Sequence, residues 1–234
     1  MNSFVLFGYL TTFACGWLNV VIVTNFAPFN ATHHTGSVKK IPVAFLDGDW
    51  FMFFALIGLA SAFIIGVAIS AFINPRGDGN FTSRFGYAYI TGAVVLAVFA
   101  AAFGLSYWFI FYCSVFAGFQ NGFLSQFKLR VSHMSGVSTD AGVELGRMCK
   151  EALKIGNPNR RSILKSYAAS FGLKMLFIAV FATGALVGAL ISIGVPLFVS
   201  FLLLALFDIA IAIFYLRICP YLRTRRERES LENP

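Results

Sequence analysis

Six long apolar runs alternate with shorter polar segments along the chain, and this alternation predicts six helices. The runs cover about residues 3–24, 50–73, 85–104, 106–127, 163–191 and 195–217. Each approaches or exceeds the roughly 20 apolar residues that a helix needs to cross a bilayer core of about 30 Å. Backbone groups in lipid have no water to bond, so runs of this length are expected to be helical.

The composition explains which medium surrounds these helices. Hydrophobic residues make up 58% of the chain and charged residues only 12%, with 28 phenylalanines among 234 residues. A water-soluble globule would have too few polar groups to cover its surface. The lipid bilayer is therefore the expected partner of most of the chain. The first run follows Met1-Asn2-Ser3 without a basic segment, and we interpret it as a retained helix rather than a signal peptide.

The basic residues are distributed unevenly between the two sides of the predicted membrane protein. All but three of the 18 lysines and arginines fall on the side of the two termini; Lys39 and Lys40 fall on the other side, and Lys174 lies within a span. The positive-inside bias then places both termini in the cytoplasm. The net charge of +8 is accounted for by attraction to anionic lipid on that face, so no nucleic-acid partner is expected.

A short signature occurs twice and indicates an internal duplication. Thr32-His33-His34-Thr35-Gly36 and Ser132-His133-Met134-Ser135-Gly136 each follow an apolar run that carries an amide. Upstream, Gly16-Trp17-Leu18-Asn19 matches Gly118-Phe119-Gln120-Asn121. The first and fourth predicted helices, with the segments that follow them, are thus copies of one unit.

The duplication extends to the next helices, since residues 60–70 resemble residues 182–192. Each copy then holds three spans, and the second copy enters the membrane from the opposite face. The predicted fold is an all-α integral membrane protein in which six transmembrane helices form two inverted-topology three-helix repeats. The repeats cover about 3–104 and 106–217 of a single membrane domain that spans 1–234.

Each signature combines Ser or Thr, His and Gly, a composition suited to breaking one helix and starting another. The candidate residues for such a break, or for a polar path beside it, are Thr32, His33, Thr35 and Gly36 in the first copy and Ser132, His133, Ser135 and Gly136 in the second. A break buried in protein would expose N–H groups that favour an anion or a polar solute. The alternative is a structural turn at the membrane surface. The positions of the histidines do not predict a metal site, and no cofactor is expected.

Two charges and three amides lie in the interior of the predicted spans, away from their ends. Lys174 and Asp208 sit at similar depth in the last two helices and are a candidate charge pair, either functional or structural. Asn19, Gln120 and Asn121 are candidates for the same polar path, or for ordinary interhelical hydrogen bonds.

Two segments are expected outside the membrane core. Residues 140–155 alternate apolar and charged side chains at helical spacing, which predicts an amphipathic helix on the cytoplasmic surface. Asp140 is interpreted as the N-cap of that segment. The tail 218–234, basic and then acidic, is expected to be a solvated surface extension.

The chain resembles the YoaK-like family of bacterial integral membrane proteins of unknown function. The resemblance rests on residues 32–36, on Gly118-Phe119-Gln120-Asn121-Gly122 and on the stretch from Ser132 to Arg147, and it extends over about residues 3–217. It implies a six-helix protein of the bacterial cytoplasmic (inner) membrane, and it brings no settled activity.

Two functions remain open from the sequence. The first is a small-solute or ion carrier built on the inverted repeat. The second is a non-catalytic accessory subunit that stabilises a larger membrane complex; a homodimer is a further possibility for assembly. An enzyme is not expected, because no carboxylate pair, Cys/His pairing or metal cluster is placed for catalysis.

Overall fold

The computed structural model describes residues 3–26, 29, 38–74, 82–102, 106–126, 134–153 and 159–232. Within these ranges the chain forms eight helices and no strand. The helices are α1 (Ser3–Asn25), α2 (Ile41–Leu46), α3 (Trp50–Ile73), α4 (Ser83–Ala102), α5 (Tyr107–Ser125), α6 (Met134–Leu153), α7 (Arg160–Gly194) and α8 (Leu197–Glu232). The predicted all-helical class is therefore confirmed.

Within the described part of the chain, five helices are long and apolar enough to cross a membrane: α1, α3, α4, α7 and the part of α8 from Leu197 to Leu222. These helices are typical of a multi-pass membrane protein. In four of them most of the apolar stretch faces outward, and in α7 only 17% of it is buried within the protein. The exception is α1, in which 67% of the most apolar stretch is buried. Outward-facing apolar surface on this scale is what lipid requires.

The fourth predicted span corresponds to α5, which is not one of these five helices and carries two amides, Gln120 and Asn121. Thirteen of its 19 residues are buried, and both amides are among them. Neighbouring helices shield α5 from the surroundings, so its polar groups meet protein rather than lipid. A helix with two amides in its interior is thus central in the packing.

Local sequence signals fix where several helices begin. The Asp49 side chain accepts a hydrogen bond from the backbone N–H of Met52 and caps the start of α3. Ser106 caps α5 in the same way through the N–H of Phe109. Between α2 and α3 the chain reverses at Gly48, whose φ of 70° lies in the left-handed region that favours glycine.

The helices pack in three principal pairs: α1 with α7, α3 with α5, and α4 with α8. Consecutive helices α7 and α8 touch each other only slightly, although they are joined by a two-residue connection. The three principal pairs therefore join helices that are not consecutive, although the consecutive helices α6 and α7 also pack closely.

Glycines bring the backbones of two of these pairs into contact. A Cβ atom at Gly16 of α1 would overlap the carbonyl oxygen of Phe181 of α7, and one at Gly184 would overlap that of Phe13. In the α3–α5 pair, Gly118 lies against the carbonyl of Phe63, and Gly66 lies against that of Val115. Small residues permit such close approach, which is a common way to associate helices in lipid.

The structure corrects several predicted boundaries. The amphipathic helix α6 starts at Met134 rather than at residue 140, so Asp140 lies inside the helix and is not its N-cap. The fifth predicted span is longer than expected, and α2 was not predicted at all. Two residues, Ser135 and Gly136, lie in the first turn of α6, where the backbone N–H groups have no helical acceptor.

The tail expected to be a surface extension is helical as far as Glu232. The helix continues through Pro220, although proline removes one backbone hydrogen bond. Cys219 and Leu222 on either side are both buried, so packing holds this turn in place. The following residues are rich in Arg and Glu, which favour helix.

Candidate functional site

Asp208 is the centre of a buried polar cluster. It lies on α8, about 17 Å from the start of the helix at 1.5 Å per residue, and only 2% of its surface is exposed. The Tyr89 hydroxyl of α4 donates a hydrogen bond to Asp208 Oδ1 at 2.7 Å. Gln120 Nε2 of α5 donates to the same oxygen at 3.1 Å. The carboxyl group is therefore held by neutral donors from two other helices.

Gln120 connects this carboxyl group to α1. Its Nε2 lies 2.8 Å from the Tyr89 hydroxyl oxygen, and its Oε1 accepts from the Cys15 thiol at 3.3 Å. Cys15, Tyr89, Gln120 and Asp208 thus form one network, hereafter the central cluster, with one residue from each of α1, α4, α5 and α8. All four are buried. In a medium of low dielectric, these bonds are stronger than in water.

Aromatic rings separate the central cluster from its surroundings. Four phenylalanine rings pack around the ring of Tyr89: Phe7, Phe85, Phe116 and Phe119. Beyond them, Phe85 and Phe123 stack with ring centroids 3.6 Å apart. The rings thus enclose the tyrosine that bonds Asp208, and Asp208 itself is buried.

The predicted pair of Lys174 and Asp208 is wrong, because each residue has other partners. Lys174 Nζ lies 2.9 Å from Glu144 Oε1 of α6 and 2.9 Å from Ser170 Oγ. Asp208 bonds Tyr89 and Gln120 instead. The reason is the packing: α7 lies against α1 and α6, whereas α8 lies against α4 and α1.

On α7, Lys174 immediately precedes the uncharged stretch 175–194. Its partner Glu144 additionally faces Arg147 at 3.7 Å. The hydrogen bond from Lys174 is the main reason that the pKa of Glu144 falls below its usual value; burial opposes the shift, and Ser170 supports it.

The amides predicted for a polar path are not equivalent in the structure. Gln120 belongs to the central cluster, whereas Asn121 is buried beside it in sequence with no hydrogen-bond partner for its Oδ1. Asn19 is half-buried on α1. The structure thus brings one of the three amides to Asp208.

Most of the two signatures lies outside the described residues. Thr32, His33, Thr35, Gly36, Ser132 and His133 belong to the undescribed ranges, and the prediction of a functional break stays a prediction there. Of the rest of the second copy, Ser135 and Gly136 start α6, and Asp140 is exposed on that helix. Over the described part of the chain, no group of three His, Cys, Asp or Glu side chains is placed to hold a metal ion.

Sequence reasoning missed two members of the central cluster. Tyr89 lies in an apolar run where a tyrosine is unremarkable, and Cys15 is one of four cysteines in the chain. Their common signal is a polar atom in the interior of a span, which requires a partner in lipid. That signal identifies the residues and leaves their partners open.

Comparison with known proteins gives a family and no activity. The sequence pattern of the family described as "Protein of unknown function (DUF1275)" matches residues 7–214. No curated protein and no solved structure matches the chain. A family without assigned function is compatible with the YoaK-like resemblance.

Proposed function

The chain belongs to this family of unknown function, and we propose that it is a carrier of small solutes or ions in the bacterial cytoplasmic membrane, rather than an enzyme. The carrier is a single membrane domain in which two three-helix repeats, about 3–104 and 106–217, have inverted topology. The first comprises α1, α3 and α4, and the second α5, α7 and α8.

The pairing of helices supports the repeat. If α1 corresponds to α5, α3 to α7 and α4 to α8, then the α1–α7 pair corresponds to the α5–α3 pair, and the α4–α8 pair corresponds to itself. These three pairs are the principal contacts in the fold. Exchange of the two halves therefore leaves the packing pattern unchanged, as a two-fold repeat requires.

The glycine contacts support the same correspondence residue by residue. Gly16 against Phe181 in one pair matches Gly118 against Phe63 in the other. Gly66 against Val115 likewise matches Gly184 against Phe13. In the packing, Gly66 therefore corresponds to Gly184 of the second repeat. The sequence alignment of 60–70 with 182–192 would instead match Gly66 with Gly188, one helical turn later.

The orientation in the membrane is proposed from charge. Basic residues concentrate on α6, on the start of α7 and at the end of α8, which places these segments and both termini at the cytoplasmic face. Anionic lipid headgroups are the expected partners of this surface.

The observation that carries the proposal is the place of the central cluster. Its residues come from two helices of each proposed repeat: Cys15 and Tyr89 from the first, Gln120 and Asp208 from the second. Carriers built on inverted repeats place their sites near the bilayer midplane, at the junction of the repeats. A carboxyl group buried there is costly and is by default a functional group.

A two-stage experiment tests the proposal. The purified protein is screened for thermal stabilisation by amino acids, sugars, organic acids, nucleobases and inorganic ions, and each stabilising solute is then tested for uptake into proteoliposomes. We expect uptake by the wild type and by Asp47→Asn, an exposed control, and its loss in Asp208→Asn. Absence of uptake, together with co-purification of stoichiometric membrane proteins, would instead identify an accessory subunit.

A further inference from the structure

We propose that Asp208 binds the coupling ion of this carrier and that the ion is a proton. The coupling role of the ion rests on the proposed function of the protein as a carrier. Proton binding by Asp208 rests on the geometry of the central cluster.

The neighbours of Asp208 leave a negative charge uncompensated when the carboxyl group is ionised. Across the described residues, its hydrogen bonds come from a phenol and an amide, and it forms no salt bridge. The cationic Lys174 is bonded to Glu144. A buried carboxylate without a cation is costly, and binding of a proton removes the charge.

The other titratable groups that act on Asp208 are neutral near pH 7. They are Cys15 on α1, Tyr89 on α4 and Tyr112 on α5. In model compounds a thiol and a phenol titrate well above neutral pH. Asp208 is the carboxyl group of the central cluster, and it is therefore the group to which we assign the proton.

The direction of the hydrogen bonds distinguishes a proton from a metal cation. Tyr89 and Gln120 point hydrogens at Asp208 Oδ1. A sodium or potassium ion requires oxygen lone pairs from several ligands, and hydrogens directed at the site repel it. The cluster is thus arranged to stabilise a carboxylate that gains or loses a proton.

Gln120 gives each protonation state its own hydrogen-bond arrangement. With Asp208 ionised, Nε2 donates to the carboxylate while Oε1 accepts from Cys15. When water at one membrane face delivers a proton, the carboxylate becomes an acid with an O–H donor and the charge of the site changes from −1 to 0. Rotation of the Gln120 amide then turns Oε1 toward Asp208, where it accepts a hydrogen bond from the acid. The same rotation turns Nε2 toward Cys15, in the place that Oε1 had occupied. Protonation thereby alters contacts among α1, α5 and α8.

Infrared spectroscopy of the full-length protein tests proton binding without any solute. Protein with carbon-13 in the aspartate carboxyl groups is titrated from about pH 4 to about pH 10, a range that brackets ordinary carboxylates and buried ones. We expect the carbonyl band of a protonated aspartic acid to persist well above the pH at which surface aspartates ionise. The band is lost in Asp208→Asn and kept in Asp47→Asn.

Two results would overturn the proposal. One is a spectrum of the folded wild type in which all aspartates are already ionised at about pH 5. The other is an Asp208 band that changes with sodium or potassium concentration at constant pH, which would assign a metal cation to the site. Should Asp208→Asn fail to fold, the labelled wild type alone decides both points.

Failure of this inference and failure of the proposed function have different signatures. A titrating aspartate band without uptake of any solute would support the proton site and contradict the carrier function. Solute uptake without a titrating band, and without acidification of the liposome lumen, would support the carrier function and contradict proton binding by Asp208.

Discussion

Gly16 of α1 lies directly against the backbone carbonyl of Phe181 of α7, with no space for a side chain at position 16. One turn along α7, Gly184 makes the reciprocal contact with Phe13. The two helices are thus joined through backbone atoms, and any added carbon must separate them.

We predict that Gly184→Ala destabilises the folded protein by ~1–3 kcal/mol, since overpacking a close contact forces backbone shifts. Thermal unfolding in detergent, followed by size-exclusion chromatography, measures the effect. The matched control is Gly172→Ala on the same helix, where nothing lies within 4 Å of the added carbon. It should be neutral or stabilising by up to ~1 kcal/mol. Equal losses in both variants would contradict the contact.

The proposed repeat adds a second expectation, that Gly66→Ala in α3 is as damaging as Gly184→Ala in α7. Both added carbons would overlap a backbone carbonyl, that of Val115 or of Phe13. The same unfolding assay compares the two variants. A loss confined to one of them would mean that the two halves are packed differently, which would count against the repeat.

The Glu144–Lys174 pair should hold α6 to α7 in a pH-dependent manner. The folded-state pKa of Glu144 is lowered, chiefly by its hydrogen bond from Lys174. The contribution of the pair is therefore complete above the unfolded-state pKa of about 4.3 and is lost as the pH falls through the lower folded-state value. A fluorophore on exposed Cys149 of α6 should lose anisotropy in that acid range.

Two variants test whether the acid step in anisotropy comes from the Glu144–Lys174 pair. Glu144→Gln should have the lower anisotropy already at neutral pH and a smaller acid step. Asp140→Asn removes an exposed carboxylate from the same helix and should behave as the wild type. If the two variants give the same titration as the wild type, the acid step belongs to other groups and the pair does not anchor α6.

The apolar runs predicted most of the helices because length and hydropathy alone decide whether a segment can cross lipid. Residues 50–73 were predicted as a helix with the same bounds as α3. Boundaries outside lipid were less accurate. The helix α6 starts earlier than predicted. The end of α8 depends on packing by buried residues such as Cys219 and Leu222. Periodicity does not report such packing.

The candidate site was predicted only in part, for a related reason. Sequence identifies Asp208 and Gln120 as costly in a span, yet their partners depend on which helices touch. Lys174 and Asp208 lie on consecutive helices, which suggested a pair, but α7 and α8 pack on other helices. The histidine signatures lie mostly outside the described residues, so their role stays a prediction.

Removal of the Tyr89 hydroxyl should weaken the folded protein because Asp208 loses its shortest hydrogen bond. We expect Tyr89→Phe to cost ~1–3 kcal/mol, the usual range when a buried polar group loses a partner. The exposed control is Tyr221→Phe near the end of the apolar part of α8, which should be close to neutral. Thermal unfolding of both variants, each relative to the wild type, provides the comparison. An unchanged Tyr89→Phe would mean that the hydroxyl makes no net contribution.

Thiol labelling distinguishes the closed central cluster from an open one. Cys149 is exposed on α6, whereas Cys15, Cys113 and Cys219 are buried. In single-cysteine variants of the folded protein, a small maleimide should modify Cys149 at least ~10-fold faster than the others, because a thiol must be accessible to react. Mass spectrometry of each variant measures the rates, and unfolded samples verify that every thiol is reactive. Rapid modification of Cys15 in folded protein would show that solvent reaches Gln120 and Asp208, and that the closed cluster is not the prevailing state in solution.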